Sequence, residues 1–147
     1  MNSTESCIAL NMLPMMGPVR LRKLLEVFSE PERILKAKRD ELRLIEGIGN
    51  EVAEQIVNWE SLVDLTGELK RICDFGATVI TQESMSYPKS LREIHSPPIV
   101  LYVWGELQER DQHAIGVIGS RRTTHYGTES AKKLSYQLAY AGLTIVS

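Results

Sequence analysis

A chain of 147 residues with 43 % hydrophobic and 24 % charged content can bury one core of ordinary size or two small ones, which excludes a disordered or fibrous protein. The net charge of −2 announces no nucleic-acid partner, so any such partner has to be gripped by a local patch. Cys7 and Cys73, with His95, His113 and His125, sit in no metal-ligand spacing. This points to a reducing cytosol with no zinc, and no cofactor is expected.

At the start of the chain, Glu5 comes first and Asn11 and Pro14 interrupt the apolar stretch, unlike a secretory signal. The longest plainly apolar run, Ile99 to Trp104, is far short of the roughly 20 residues of a spanning helix. A cytoplasmic protein with no membrane partner is expected.

LPMMGPVRLRKLL (13–25) aligns with IEGIGNEVAEQIV (45–57), bringing Gly17 onto Gly49, Leu21 onto Ala53 and Leu24 onto Ile56. Each copy has a helix-length segment, a tight turn, then apolar positions three and four apart, so the two read as helix-hairpin-helix repeats. In the second copy two glycines flank Ile48, allowing positive φ while the isoleucine plugs the gap between helices. In the first, Met15 replaces the leading glycine, so that turn has to be made differently.

Hairpins of this kind can hold a DNA phosphate on the free N–H groups that open the second helix. Glu51 and Glu54 already complement that dipole in the second copy and would repel a phosphate. Arg20, Arg22 and Lys23 follow the first turn, either as a DNA patch or as the solvated face of an amphipathic helix. Residues 1–80 hold 10 lysines and arginines against 13 aspartates and glutamates, which favours an interaction module over a DNA contact.

Apolar residues at 62, 65, 69 and 72 predict a helix over 61–76, closed by Gly76. The pattern then changes: ATVIT (77–81) reads as a strand, PKSLREI (88–94) as a helix opened by proline, and IVLYVWG (99–105) as a buried strand. AIGVI (114–118) is the next strand. A helix follows from Tyr126 with a face of Ala131, Leu134, Leu138 and Ala141, closed by Gly142, and LTIV (143–146) is a last strand. Strand, helix, strand implies a right-handed crossover in a parallel, Rossmann-like sheet.

Ligands of such sheets gather beyond the carboxyl ends of the strands, where GSRRTTHYG (119–127) lies. Gly119 allows close approach, the helix start supplies unpaired N–H groups, and Ser120, Arg121, Arg122, Thr123 and Thr124 add donors. These are the ingredients of an anion site. The turn is not GxGxxG, and no GxxxxGK[ST] occurs, which disfavours a dinucleotide enzyme. Tyr126 is either a ring on which a base stacks or a residue packed under the helix.

Tyr87-Pro88 followed by Leu91 and Ile94, Pro97-Pro98 followed by Leu101-Tyr102 and Gly105-Glu106-Leu107, and Gly119-Ser120-Arg121 followed by Thr124, Tyr126 and Gly127 together resemble the bacterial DNA-processing protein A (DprA, or Smf) family. The resemblance implies a helical, SAM-like hairpin domain, placed here at 1–76, followed by a Rossmann-like domain at 77–147. It further implies a recombination mediator that binds single-stranded DNA without sequence preference and helps load the RecA recombinase in natural transformation. No covalent chemistry and a homodimer at full length are also implied. Carried over by residue, the phosphate-holding turn falls on Gly119, Ser120 and Arg121, with Arg122, Thr124 and Tyr126 as neighbours.

A family member is expected to continue beyond LTIVS with further strands and helices, so the sequence reads as a fragment with an exposed strand edge. Weak DNA binding, self-association or instability is expected of it. The alternative function, a nucleotide or nucleoside-phosphate hydrolase, needs a placed general base, and Ile115 to Thr128 offers only His125 and no acid.

Overall fold

The computed structural model describes all 147 residues, which divide into two compact units, Met1–Gly105 and Glu106–Ser147.

The first unit opens with α1 (Ser3–Met12), started by a reciprocal cap: Asn2 Oδ1 accepts from the Glu5 N–H and Glu5 accepts from the Asn2 N–H, both at 2.9 Å. Ser6 to Leu10 are buried in succession, so this helix is covered all round and forms the centre of the unit. Ser6 is accommodated because its hydroxyl donates to Asn2 O at 2.9 Å. Around it lie α2 (Pro18–Phe28), α3 (Pro31–Lys36), α4 (Arg39–Arg43), α5 (Asn50–Val57), α6 (Trp59–Leu62) and α7 (Leu65–Phe75). Ile8, Leu10, Leu24, Ile34, Leu42 and Ile56 are fully buried, each contributing about 1.5–3 kcal/mol.

The helix expected over 61–76 is two pieces. Asp64 accepts from the Gly67 N–H at 2.9 Å and starts α7 afresh, which leaves Leu62 on α6 and exposed. Gly76 closes α7 in the left-handed region at φ +72°. Strands β1 (Thr78–Thr81) and β2 (Val100–Val103) pair antiparallel, Thr78 opposite Val103, and both contact α1. Between them α8 (Lys89–Arg92) is a single turn.

In the second unit a 3₁₀ turn, Glu109–His113, leads into β3 (Ala114–Gly116), then α9 (His125–Tyr140) and β4 (Thr144–Val146). β3 and β4 are parallel, Ala114 opposite Thr144 and Gly116 opposite Val146, and the Val117 N–H extends the ladder to Val146 O at 2.8 Å. This is the strand, helix, strand unit expected from the pattern. Asp111 ties its two ends, accepting from the Gln108 N–H at 2.7 Å and the Thr144 hydroxyl at 2.8 Å, which hold its carboxyl below the usual carboxylate range.

No residue of this unit is fully buried. The half-covered stripe of α9 is Thr128, Ala131, Ser135 and Leu138. The expected face put Leu134 in that row, but Leu134 is 52 % exposed and Ser135 takes its place. The outer edges of β3 and β4 carry no further strand.

Candidate nucleic-acid interface

The turn after β3 and the start of α9 enclose a concavity of about 920 Å³ at the carboxyl ends of β3 and β4. Gly119, Ser120, Arg122 and Thr124 line it from the turn, as expected, and Val117, Ile145 and Ser147 line it from the strand ends. Small residues on α9, Gly127, Thr128, Ala131 and Ser135, keep the far wall open, and Lys132 stands on that wall. None of the lining residues is acidic. Arg121 and Tyr126 are exposed, Tyr126 at 81 %, and stand outside the lining. Tyr126 does not pack under the helix.

Local hydrogen bonds shape the turn. The Arg122 N–H donates to Ser120 Oγ at 3.2 Å, and Thr124 Oγ1 caps α9 by accepting from the Gly127 N–H at 3.1 Å. Thr124 therefore acts first as a cap. The cap satisfies only one of the donors of the first turn, and the helix itself cannot bond those of His125 and Tyr126. Thr128 donates to Thr124 O at 3.2 Å and meets Thr123 Oγ1 at 3.1 Å, stiffening the approach to α9. The ion pair of this wall is Lys132 with Glu129, at 2.9 Å. The sequence pattern pointed to the turn, but it missed Thr128, Lys132 and Ser135, whose place depends on how α9 rotates against the strands.

The other candidate cations, in the first hairpin, are engaged by backbone. Arg20 donates from Nη1 to Met15 O and from Nε to Gly47 O at 3.4 Å, and Lys23 donates to Glu46 O at 3.1 Å. Arg22 donates to His95 O at 2.8 Å. Met15 and Gly47 are the matching positions of the two hairpins and both are left-handed, at φ +61° and +88°. Arg20 thus bridges the two turns. Gly49 was expected to share the positive φ, but it is extended at −78° and serves as the N-cap of α5, while Ile48 is the buried plug.

A family model described as DNA recombination-mediator protein A matches residues 78–147, and one described as a SAM-like helix-hairpin-helix tandem matches 8–58. Protein Smf of Synechocystis is 33 % identical over 135 residues, 89 % of this chain and 34 % of that protein. DNA processing protein DprA of Bacillus subtilis is 33 % identical over 73 residues, 49 % of this chain and 25 % of that protein. The chain belongs to the DprA/Smf family. It spans about a third of the Synechocystis protein and a quarter of the Bacillus one. No solved structure matches it.

The residues that carry the DprA/Smf resemblance have physical work to do. Tyr87 is 2 % exposed, and its hydroxyl donates to Pro98 O at 2.9 Å. Gln82 donates to Pro97 O at 2.9 Å and to Pro98 O at 3.1 Å. Prolines offer acceptors and no N–H, so a phenol and an amide are needed to close this loop. Arg92 lies 5.6 Å from the Tyr87 ring centre, and burial pushes the phenol's pKa up. No helix is long and apolar enough to cross a membrane.

Proposed function

We propose that this protein binds single-stranded DNA without sequence preference, through the turn Gly119 to Thr124 and the start of α9. The observation that carries this is the concavity at the carboxyl ends of two parallel strands, lined by Gly119, Ser120, Arg122 and Thr124 with no acidic side chain. Hydroxyls, uncapped N–H groups and a guanidinium suit phosphates and read no base edge. Arg121 and Tyr126 flank the opening, one to meet a neighbouring phosphate and the other to stack a base.

In this reading the protein is a recombination mediator that protects the strand and passes it to the RecA recombinase during natural transformation. It works in the cytoplasm, as a homodimer at the relatives' length. The matched family's description and the name of the Bacillus relative support that role. The lining offers no acidic side chain and no histidine as a general base, which supports a protein that performs no covalent chemistry. Sustained turnover of a common nucleotide in a product assay would overturn this.

The deciding experiment is titration of fluorescent oligo-dT with wild type and Arg121→Ala across a salt series. Loss of one phosphate contact makes the slope of log affinity against log salt shallower by about 0.7. Affinity and slope equal to wild type refute the assignment of Arg121.

A further inference from the structure

The concavity continues past the cap of α9, and we infer that it takes two successive phosphates of one strand, the second held by Lys132 in exchange for Glu129. This deepens the single-strand reading above and rests on it.

The first phosphate belongs at Ser120, Arg122 and the opening of α9. The lining continues beyond them along the helix through Thr128, Ala131, Lys132 and Ser135. Lys132 lies eight residues past Thr124, about 12 Å along the axis at 1.5 Å per residue. Its ammonium leans back one turn to Glu129, at 2.9 Å, and so stands about 7.5 Å beyond the cap. A phosphate seated at the cap lies nearer the turn than this ammonium does. A second anion is what this position accommodates.

Three features make Lys132 available. It lines the concavity while Glu129 does not, so its present partner lies to one side of the ligand path. Both side chains of the pair are more than half exposed, and such pairs contribute only about 0–1 kcal/mol. Trading the carboxylate for a phosphate therefore costs little. Ser135 places a hydroxyl on the same wall, while that of Thr128 is held by Thr124 O and Thr123, and Ala131 between them leaves room for the chain of the ligand.

Two phosphates occur spaced by a sugar in a DNA strand and joined through one oxygen in a nucleoside diphosphate, and the test separates these sources. The chain is titrated with fluorescent dT12, with the dinucleotide TpT, which has one phosphate, and with dTDP, for wild type, Lys132→Ala, Glu129→Gln and Arg122→Ala. Lys132→Ala is expected to weaken dT12 about fivefold and flatten its salt slope by about 0.7, with TpT binding unchanged. Glu129→Gln is expected to tighten dT12, because it removes the competitor.

If Lys132→Ala and Glu129→Gln both match wild type while Arg122→Ala weakens binding, the Lys132 assignment falls and the turn reading stands. If Arg122→Ala also matches wild type, or wild type binds no dT12, both fall. Binding of dTDP as tight as that of dT12 overturns the strand in favour of a nucleotide. Circular dichroism should show the helicity of all three variants unchanged, because these side chains are exposed.

Discussion

Replacing Arg20 with alanine distinguishes a structural arginine from a DNA contact. Its guanidinium donates to Met15 O and Gly47 O, the carbonyls of the two left-handed residues that make the two hairpin turns. A hydrogen bond from a charged donor contributes about 1.5–3 kcal/mol, but both bonds are exposed and the second is long, so about 1–2 kcal/mol in total is expected. For a unit of this size that lowers the melting temperature by about 5–9 °C. The assay is thermal denaturation followed by circular dichroism, paired with oligo-dT affinity on the same samples. Arg20→Ala should melt earlier and bind as wild type does. Unchanged melting with weakened binding would show that Arg20 meets phosphate, and the structural account of the hairpins would be wrong.

Met15→Gly should raise the melting temperature, since removing the left-handed penalty of about 1–2 kcal/mol outweighs the added chain entropy; Gly47→Ala should lower it, because an added Cβ meets only ordinary contacts and the loss is conformational. Burial, then the carboxylates of Glu83 and Glu32, push the Cys7 thiol up to about 12, whereas Cys73 is exposed. A thiol reagent at pH 8 should therefore modify one cysteine in native protein and two in denaturant. Cys7 keeps its proton in the fold while the unfolded chain loses it near the thiol's ordinary value of 9.0, so stability should fall as pH rises from about 9 to about 12. Replacing Cys7 with serine or alanine should lessen that fall in a urea titration at high pH, leaving the part due to Tyr87, whose phenol burial also pushes up. Tyr87→Phe leaves Pro98 O without its phenol and should cost about 1 kcal/mol in the same titration.

What the sequence could and could not show divides along physical lines. Local backbone chemistry was legible: Gly76 closes α7, and the run from β3 through α9 to β4 follows from strand, helix and strand patterns read in order. Partners brought together by packing were not. Arg20, Arg22 and Lys23 looked like a basic face, and nothing in their spacing reveals that three turns of backbone accept from them. Nor does alternation along ATVIT and IVLYVWG tell that β1 and β2 run antiparallel. In the candidate site, Gly119 to Thr124 were found because a turn after a strand has a chemical signature. Lys132 and Ser135 were missed because α9 presents Ser135, where an apolar-face reading chooses Leu134, so the wall of the concavity is polar where a core was expected.

The change of pattern at residue 77 and the division of the compact units at Gly105 do not coincide, and the difference has a measurable consequence. β1 and β2 lie against α1, and Val79, Ile99 and Val100 join the same apolar cluster as Ile8, Leu24 and Ile56. Arg22 clamps the connecting loop to α2 through His95 O. Removing residues 77–105 uncovers that side of the cluster. At about 1.5–3 kcal/mol for a well-buried side chain, Ile99 and Val100 with the half-buried Val79 amount to about 4–7 kcal/mol, a large part of the roughly 5–15 kcal/mol that holds a domain of this kind together. Residues 1–105 should therefore unfold cooperatively and resist limited proteolysis, whereas residues 1–76 should melt far earlier or not hold a fold. Equal melting temperatures for the two pieces would show that the strands merely rest on the helices, and that the helical repeat is complete without them.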